Sequence, residues 1–347
     1  MIRVGMVGIG FIGWIHWLAY QRHGGARVTA ICESIPERRA GDWRAIKGNF
    51  GPPGEQVDLS GINVYANLDD LLRDPQVDLV DIALPTSLHA DFAVRALEAG
   101  KHVFCEKPMA LKLADCERMV AAAKKANRLL MIGHVLPFFP EYDWARKVIL
   151  SGDYGRVRGG AFRRIISDPT WISNFWSPDR IGGPMLDLHV HDAHFIRLVF
   201  GMPQEVTTAG RLRDGLPEFW HTQFRFADHE LVVEATSGTI NQQGRAFTHS
   251  FEIHLERATF AFDFAVIGGE GKYLCEPMLL DSNGQVEHPK LPGGDPVDSF
   301  VNEIREVTHC VGEGKTSEIL GAVMAQDAMR LCEAQSESLR TGAPVKV

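Results

Sequence analysis

The sequence has no uninterrupted apolar run of about 18 residues, the shortest that spans a membrane as a helix, because glycines break its most apolar stretch, residues 4–20. Its six cysteines form no C-x-x-C pair, so neither a disulfide framework nor a cysteine-based metal site is expected. Positive charge is also scarce: 36 lysines and arginines stand against 44 aspartates and glutamates, which gives a net charge of −8. A membrane protein and a nucleic-acid-binding surface are therefore disfavoured, and the cytoplasm is the expected compartment.

The 347 residues have the ordinary composition of a folded protein, 45% hydrophobic and 23% charged, and a length typical of two domains. In the first part of the chain, strand-length apolar runs alternate with segments of helical periodicity. This alternation is typical of an α/β fold with a doubly wound parallel sheet. We therefore predict a Rossmann domain over residues 1–124. The predicted parallel strands cover residues 2–7, 28–32, 63–66, 77–84, 102–105 and 129–132.

The pattern changes after about residue 133, where long strand candidates follow one another with few helices between them. Short turns such as residues 227–229 indicate antiparallel pairing. We predict an α+β domain with a large, mostly antiparallel sheet over residues 125–347, used for substrate binding and for assembly into a homodimer or homotetramer. The terminal helix is predicted over residues 317–339, and its packing against the first domain is an open alternative.

A glycine-rich turn directly follows the first predicted strand and opens the first helix, in the order Gly8-Ile9-Gly10-Phe11-Ile12-Gly13. In this context each glycine has a use: Gly8 permits the tight turn, Gly10 lets the backbone approach a pyrophosphate, and Gly13 lets the helix pack on the strand. The N-terminus of the helix adds partial positive charge. We predict that these residues, with Phe11 and Ile12, bind a dinucleotide; a fold that has lost its cofactor is the alternative.

The choice of dinucleotide depends on Glu33, which ends the second predicted strand 20 residues beyond Gly13. A carboxylate at this position can accept hydrogen bonds from the hydroxyls of an adenosine ribose. It repels the 2′-phosphate of NADP, so NAD is favoured. NADP remains the alternative because Ser34, Arg38 and Arg39 could hold a phosphate if the loop turned them inward.

Two further segments carry side chains suited to catalysis. Cys105-Glu106-Lys107-Pro108 follows the fifth predicted strand, and the carboxyl ends of such strands face the ligand crevice. Farther on, Asp187, His191 and His194 are spaced i, i+4 and i+7 in a predicted helix and so share one face. A solvated surface lysine is the simpler interpretation of Lys107.

Together these motifs resemble those of the glucose-fructose oxidoreductase and inositol dehydrogenase (Gfo/Idh/MocA-like) family of NAD(P)-dependent oxidoreductases. The resemblance spans nearly the whole chain. Its motifs are the glycine fingerprint, Ala83-Leu84-Pro85-Thr86 with His89, Glu106-Lys107-Pro108, Asp187 four residues before His191, and an ending with Gly342 and Val345.

The resemblance implies that Lys107, Asp187 and His191 are the catalytic residues. It also implies that Pro85, Thr86, His89 and Glu106, with Lys107, lie along the nicotinamide half of the cofactor. His191 would be the general base, since an unperturbed imidazole has a pKa of about 6.5. Lys107 would stabilise negative charge on the substrate oxygen, and Asp187 would orient the substrate. Four further candidates for substrate contact are His134, Trp171, Trp176 and His194.

Two positions depart from the pattern common in the family. This chain has Pro137-Phe138-Phe139-Pro140 where many relatives have Arg-Phe-x-Pro, and His194 where many have aspartate. Both changes would alter the substrate pocket. The histidines and aspartates of residues 187–194 also resemble metal ligands, but His189 and His191 point to different helix faces and no H-E-x-x-H motif is present, so no metal is expected.

The favoured function is a dehydrogenase that transfers hydride between a sugar, cyclitol or related polyol and NAD(P). Two alternatives remain. The first is a hydrolase or isomerase that uses transient oxidation by tightly bound NAD, a chemistry known in some relatives. The second is a non-catalytic sensor of sugars or nucleotides on the same fold.

Overall fold

The computed structural model describes all 347 residues and divides the chain into two compact units. The first unit comprises Met1–Phe138 and Gly294–Gln326, and the second comprises Phe139–Gly293 and Asp327–Val347. The boundary thus lies later than the predicted one at residues 124 and 125, because the sixth strand of the first sheet follows residue 125. A second difference is that residues 294–326 return to the first unit.

A six-stranded parallel sheet forms the centre of the first unit, with strand order β3-β2-β1-β4-β5-β6. This doubly wound arrangement confirms the predicted fold class. The inner strands are buried along most of their length, since helices cover both faces of such a sheet. The strands are β1 (Ile2–Val7), β2 (Ala26–Cys32), β3 (Asn63–Tyr65), β4 (Leu79–Ile82), β5 (His102–Glu106) and β6 (Leu130–Gly133).

Seven of the nine α-helices have residues in the first unit, six of them entirely. The first helix, which follows the glycine-rich turn, packs against the eighth helix. The eighth helix lies in a segment predicted for the second domain. A 3₁₀ turn at Leu136–Phe138 closes the Rossmann part. The helices are α1 (Phe11–His23), α2 (Pro36–Arg39), α3 (Leu68–Leu72), α4 (Thr86–Glu98), α5 (Leu113–Ala126) and, after the second unit's insertion, α8 (Val297–Glu313).

A nine-stranded sheet forms the second unit, and all its pairs are antiparallel except the pair β7 and β10. Exposed and buried residues alternate along β10, which shows that one sheet face carries the core. The strand order is β14-β13-β12-β11-β7-β10-β9-β8-β15. The strands are β7 (Val157–Ser167), β8 (Glu205–Arg213), β9 (Leu216–Arg225), β10 (Val232–Ile240), β11 (Arg245–Leu255), β12 (Ala258–Ile267), β13 (Glu270–Asp281), β14 (Val286–Glu287) and β15 (Val345–Lys346).

Helices α6 (Pro140–Ser151) and α7 (Val190–Phe200) belong to the second unit, whereas α9 (Ala322–Thr341) begins in the first unit and continues in the second. The helix predicted from residue 184 onward differs from expectation in its first turn. Met185–His189 adopt a π-helical turn, and the α-helix proper begins at Val190. The α-helical geometry assumed for Asp187 and His191 therefore does not extend to Asp187, and their shared face stays a prediction.

The six cysteines are all free thiols, as expected from their scattered positions. None of the helices combines the length and the apolar character needed to cross a membrane.

Candidate active site

The glycine-rich turn joins β1 to α1 in the first unit, and three of its glycines meet different surroundings. Gly8 has a φ of 88°, and a Cβ there would lie 2.7 Å from the Ala83 carbonyl oxygen. A Cβ on Gly13 would lie 2.3 Å from the Gly8 carbonyl oxygen. A Cβ on Gly10 would meet nothing within 4 Å. Gly8 and Gly13 are thus required by the fold, while the open space at Gly10 fits a phosphate approaching the N-terminus of α1.

Glu33 follows β2 and points its carboxylate toward the same turn. It is buried, with 6% of its surface exposed. The backbone N–H of Ile9 donates to Glu33 Oε2 at 2.8 Å, and that of Ile35 donates to Oε1 at 2.9 Å. Glu33 therefore lies against the glycine-rich turn, and its contact with the adenosine ribose stays a prediction.

The two arginines considered for NADP have different contacts. Arg39 Nη1 donates to the backbone carbonyls of Glu33 and Ser34 at 2.9 and 2.7 Å, which ties this side chain to the chain itself. Arg38 Nη1 lies 3.8 Å from Glu33 Oε2. A 2′-phosphate would have to displace these contacts and approach a carboxylate.

His89 braces the loops that follow β4 and β5. Pro85 precedes α4, Thr86 begins it, and His89 lies buried in its first turn. Its Nδ1 and Nε2 each lie 2.8 Å from a backbone carbonyl oxygen, those of Pro108 and Leu84 respectively. Burial lowers the pKa of His89, although these carbonyls oppose the effect. The contact with the nicotinamide stays a prediction for these residues.

The end of β5 carries Glu106 and Lys107. The backbone N–H of Lys107 donates to Glu106 Oε2 at 3.1 Å, and the peptide between Lys107 and Pro108 is cis. On the neighbouring strand, a Cβ at Gly133 would lie 2.6 Å from Glu106 Oε1, so glycine is needed for the carboxylate to fit. His134 follows Gly133 and is completely buried.

In the second unit, four histidine and aspartate side chains divide into a half-buried and a buried pair. Asp187, in the π-helical turn, and His191, in the first turn of α7, are half-buried. His189 and His194 have no exposed surface. The residues of this segment that the resemblance implies for catalysis are thus the partly exposed ones, whereas His194 is completely buried. A π-helical turn inside a helix is frequent at functional sites.

Contacts from the sheet hold this segment in place. The buried guanidinium of Arg164 on β7 donates to Asp192, the residue after His191. His189 Nδ1 is hydrogen-bonded to Ser237 Oγ on β10 at 2.7 Å, and burial lowers the pKa of His189 to about 4. Two of the side chains that resembled metal ligands are therefore engaged in other bonds. No motif marked Arg164, because a single arginine in a strand has no sequence signature.

The two tryptophans suggested for substrate contact differ in their surroundings. Trp171 is 60% exposed. Trp176 is fixed by Asp168, whose Oδ1 accepts its indole N–H at 3.0 Å, and by Arg213, whose guanidinium carbon lies 4.4 Å from the ring centre. Trp176 is thus part of a packed cluster, and a role for either ring in sugar binding stays a prediction.

Comparison with known proteins identifies the family. Residues 2–134 match the profile of the oxidoreductase family with an NAD-binding Rossmann fold, GFO_IDH_MocA. Residues 142–261 match the profile of the GFO/IDH/MocA C-terminal domain. The chain belongs to this family. Its first unit is an NAD-binding domain and the protein is an oxidoreductase, in agreement with the resemblance seen in the motifs.

The relatives differ in what they are named for. The chain is 28% identical over 268 residues to a 2,7-anhydro-N-acetylneuraminate hydratase of Escherichia coli K12, covering 69% of this chain and 67% of the relative. It is 29% identical over 206 residues to a myo-inositol 2-dehydrogenase of Thermotoga maritima, covering 58% and 55%. A levoglucosan dehydrogenase solved with NADH and levoglucosan has the same fold, with a TM-score of 0.81, 22% identity, and coverage of 100% and 99%.

Proposed function

We propose that this protein is an NAD-dependent dehydrogenase that oxidises a secondary alcohol of a sugar, cyclitol or related polyol, or catalyses the reverse reduction. Membership of the oxidoreductase family supports the reaction class. The names of two relatives, an inositol dehydrogenase and a levoglucosan dehydrogenase, support the substrate class. The observation that carries the proposal most directly is the nucleotide site, with its open Gly10 and its buried Glu33.

The residues of the first unit fit NAD and support a position for it beside the glycine-rich turn. The backbone at Gly8–Gly13 and the N-terminus of α1 would hold the pyrophosphate, and Glu33 would hold the adenosine ribose. When bound, NAD accepts the hydride that leaves the alcohol carbon. Glu33 keeps two backbone bonds in this structure, so a ribose hydroxyl would use its remaining lone pairs or replace one of these bonds.

Three side chains of the protein would act on the hydroxyl proton of the substrate and on the negative charge that develops on its oxygen. His191 removes the proton of the substrate hydroxyl, Lys107 stabilises the negative charge that develops on that oxygen, and Asp187 binds a neighbouring hydroxyl. The partial exposure of all three side chains supports these roles. The Arg164 and Asp192 pair supports the role of His191, since a general base must be held in one orientation.

A net redox-neutral reaction is the second candidate. The relative from Escherichia coli is named as a hydratase, and addition of water changes no overall oxidation state. In this case the chain would oxidise its substrate transiently with tightly bound NAD and return the hydride before releasing the product, so no free NADH would accumulate.

One assay separates the two candidates. Purified protein is incubated with NAD and a panel of cyclitols, aldoses, anhydrosugars and sugar acids, while the absorbance of reduced nicotinamide and the substrate's NMR spectrum are recorded together. A dehydrogenase produces NADH in step with substrate loss. Substrate loss without NADH supports the redox-neutral reaction, and no loss with any compound, in either direction, contradicts both.

We also propose that the second unit's sheet mediates a homodimer or homotetramer. Large apolar side chains that are exposed on its strands, such as Val232, Tyr273 and Leu274, support this proposal, because exposed apolar surface can mark an interface. Light scattering at micromolar concentration tests it, and a monomeric mass would contradict it.

A further inference from the structure

A cluster of ionisable side chains lies inside the first unit, on four different elements. These side chains, called the buried cluster below, are His16 on α1, Asp81 on β4, Glu106 on β5 and Glu303 on α8. His16 Nδ1 lies 3.0 Å from both carboxylate oxygens of Asp81, and His16 Nε2 lies 3.2 Å from Glu106 Oε1. One polar atom each of His16, Glu106 and Glu303 lies within 4.8 Å of the others.

The charges of the buried cluster do not balance if all its acids are ionised. A positively charged His16 can neutralise one of its two carboxylate partners, Asp81 and Glu106, and interacts with both. Glu303 then adds a third carboxylate, and neither of its oxygens has a hydrogen-bond partner. Tyr20 and Cys105, next to the cluster, bring no positive charge. His89 and Lys107 lie near Glu106, whereas the charges that act on Glu303 are those of Glu106, His16 and Asp81. A completely buried carboxylate with no partner is strongly disfavoured relative to its protonated form.

The directions of two pKa shifts agree with this charge balance. Burial raises the pKa of Glu303 well above its ordinary value, and the charge of Glu106 adds to the rise, while His16 opposes it. Burial lowers the pKa of His16, but Asp81 and Glu106 outweigh that effect and raise it well above the ordinary value. Both shifts favour the protonated forms of His16 and Glu303.

We propose that Glu303 is a positioning residue that stays a neutral carboxylic acid in the folded protein and donates a hydrogen bond to Glu106 through one bound water. Glu106 in turn accepts the backbone N–H of Lys107 at 3.1 Å. A neutral Glu303 thus fixes the carboxylate that supports the Lys107 backbone. The effect on catalysis rests on the proposed function of Lys107, but the protonation state of Glu303 does not.

A metal ion is the competing occupant, because an imidazole and two carboxylates are common ligands. The proposed protonation state excludes it, because an imidazole that carries a proton on both nitrogens, one facing Asp81 and the other facing Glu106, has no lone pair for a metal. A proton on Glu303 also reduces the net negative charge of the cluster by one, which weakens its attraction for a cation. The metal measurement below therefore decides between the two occupants.

The pH dependence of unfolding tests the protonation state without any substrate or NAD. An acid whose pKa is raised by folding takes up a proton in the folded state, so its stability contribution falls as the pH rises above its ordinary pKa of 4.5. Glu303→Gln has no proton to lose. The unfolding midpoint of the wild type should therefore fall relative to that of Glu303→Gln as the pH rises. The midpoint of the variant minus that of the wild type should be larger at about pH 8 than at about pH 5, by roughly 3 °C or more.

Glu313→Gln is the matched control, since Glu313 lies on the same helix and is exposed. Its difference from wild type should not change with pH. As long as Glu303 is neutral, replacing it by glutamine leaves the charge around His16 unchanged, so the titration of His16 contributes equally to the wild type and to the variants. A pH-independent difference for Glu303→Gln would overturn the proposal.

Infrared spectroscopy provides an independent readout. At neutral pH, the wild type minus Glu303→Gln difference spectrum should contain the carbonyl stretch of a neutral carboxylic acid, which is separate from carboxylate bands. The absence of this band would contradict the proposal. So would one equivalent of metal that the wild type retains, or takes up from added Zn²⁺, and that Glu303→Gln does not.

Activity then tests the link to Lys107, once a substrate is known. Glu303→Leu cannot donate a hydrogen bond, and kcat should fall roughly 10-fold or more because a small displacement of a catalytic group is costly. Glu303→Gln keeps a donor and should recover most of that loss. Equal losses in both variants would overturn the positioning role, while the unfolding and infrared results would still decide the protonation state.

Discussion

The guanidinium of Arg164 donates two hydrogen bonds to the carboxylate of Asp192, from Nε to Oδ2 at 2.6 Å and from Nη2 to Oδ1 at 3.0 Å. Both side chains are buried. Because Asp192 follows His191, this pair connects β7 to the first turn of α7 and limits how that turn can rotate.

Removing the charge of Asp192 should destabilise the protein strongly. Asp192→Asn leaves a buried guanidinium without its counter-charge, a change that typically costs about 3–5 kcal/mol. Denaturant unfolding followed by tryptophan fluorescence measures the effect. Glu337→Gln is the matched control, because Glu337 pairs with Arg340 at 2.7 Å on the exposed surface, where solvent screens the charges. Equal shifts in both variants would show that the Arg164 pair has no special role.

Alanine at two glycines of the nucleotide turn should affect different properties. Gly13→Ala places a Cβ 2.3 Å from the Gly8 carbonyl oxygen, so the fold itself should lose stability. Gly10→Ala meets no atom within 4 Å, so its unfolding midpoint should stay close to that of the wild type. Its Cβ should instead obstruct the pyrophosphate and weaken NAD binding about 10-fold or more. Calorimetry for both quantities checks this, and loss of stability without loss of affinity in Gly10→Ala would contradict it.

The charge of Glu33 should set the preference between NAD and NADP. We expect the wild type to bind NAD more tightly, because a 2′-phosphate would approach this carboxylate. Glu33→Gln keeps the shape and one acceptor for the backbone N–H groups of Ile9 and Ile35 but removes the charge. The ratio of the two dissociation constants should then narrow about 10-fold, a difference of about 1.4 kcal/mol. Equal or tighter NADP binding by the wild type would assign the phosphate to Arg38 or Arg39.

Much of the fold follows from local patterns in the sequence. The parallel sheet, the glycine-rich turn and the position of Glu33 are encoded by neighbouring residues, since apolar runs and turn glycines act over a few positions. The unit boundary was less predictable, because β6 and α8 join the first unit through contacts with distant segments. The π-helical turn at Met185–His189 has no local sequence signature. It changes the number of residues per turn in the segment for which the helix-face prediction assumed an α-helix.

The buried polar contacts were the least predictable part of the candidate site. Arg164 and Asp192 are 28 residues apart, and His16 and Asp81 are 65 residues apart. A single sequence shows that such residues are charged, but their burial and pairing depend on how the sheets bring distant strands and helices together. The prediction of a shared helix face for Asp187, His191 and His194 failed to separate the half-buried residues from the buried His194 for the same reason.

The acid stability of the second unit should depend on His189. Burial lowers the pKa of His189 from 6.5 to about 4, so the unfolded chain binds a proton in this interval that the folded protein does not. Stability is therefore lost as the pH falls from 6.5 toward 4. His189→Asn should unfold at a lower midpoint at neutral pH, and its difference from wild type should shrink on acidification. A constant difference across this interval would contradict the assignment.

Replacing a proposed catalytic residue should lower kcat much more than replacing a neighbouring residue. His191→Asn removes the general base and Lys107→Met removes the charge that stabilises the substrate oxygen, so each should lower kcat roughly 100-fold or more. His191→Asn should leave NAD affinity nearly unchanged and abolish the limb of the pH–rate profile near neutrality, since that limb reports the titration of the base.

His194 and His229 serve as the comparison for His191. His229 is exposed in a turn, so His229→Asn should change neither kcat nor the unfolding midpoint. His194 is completely buried, so His194→Gln should lower the unfolding midpoint and shift the Michaelis constant more than kcat. If His194→Gln abolishes turnover in a folded protein while His191→Asn remains active, the base has been assigned to the wrong histidine. In that case the π-helical turn places a different side chain toward the substrate, and Asp187 must be reassigned with it.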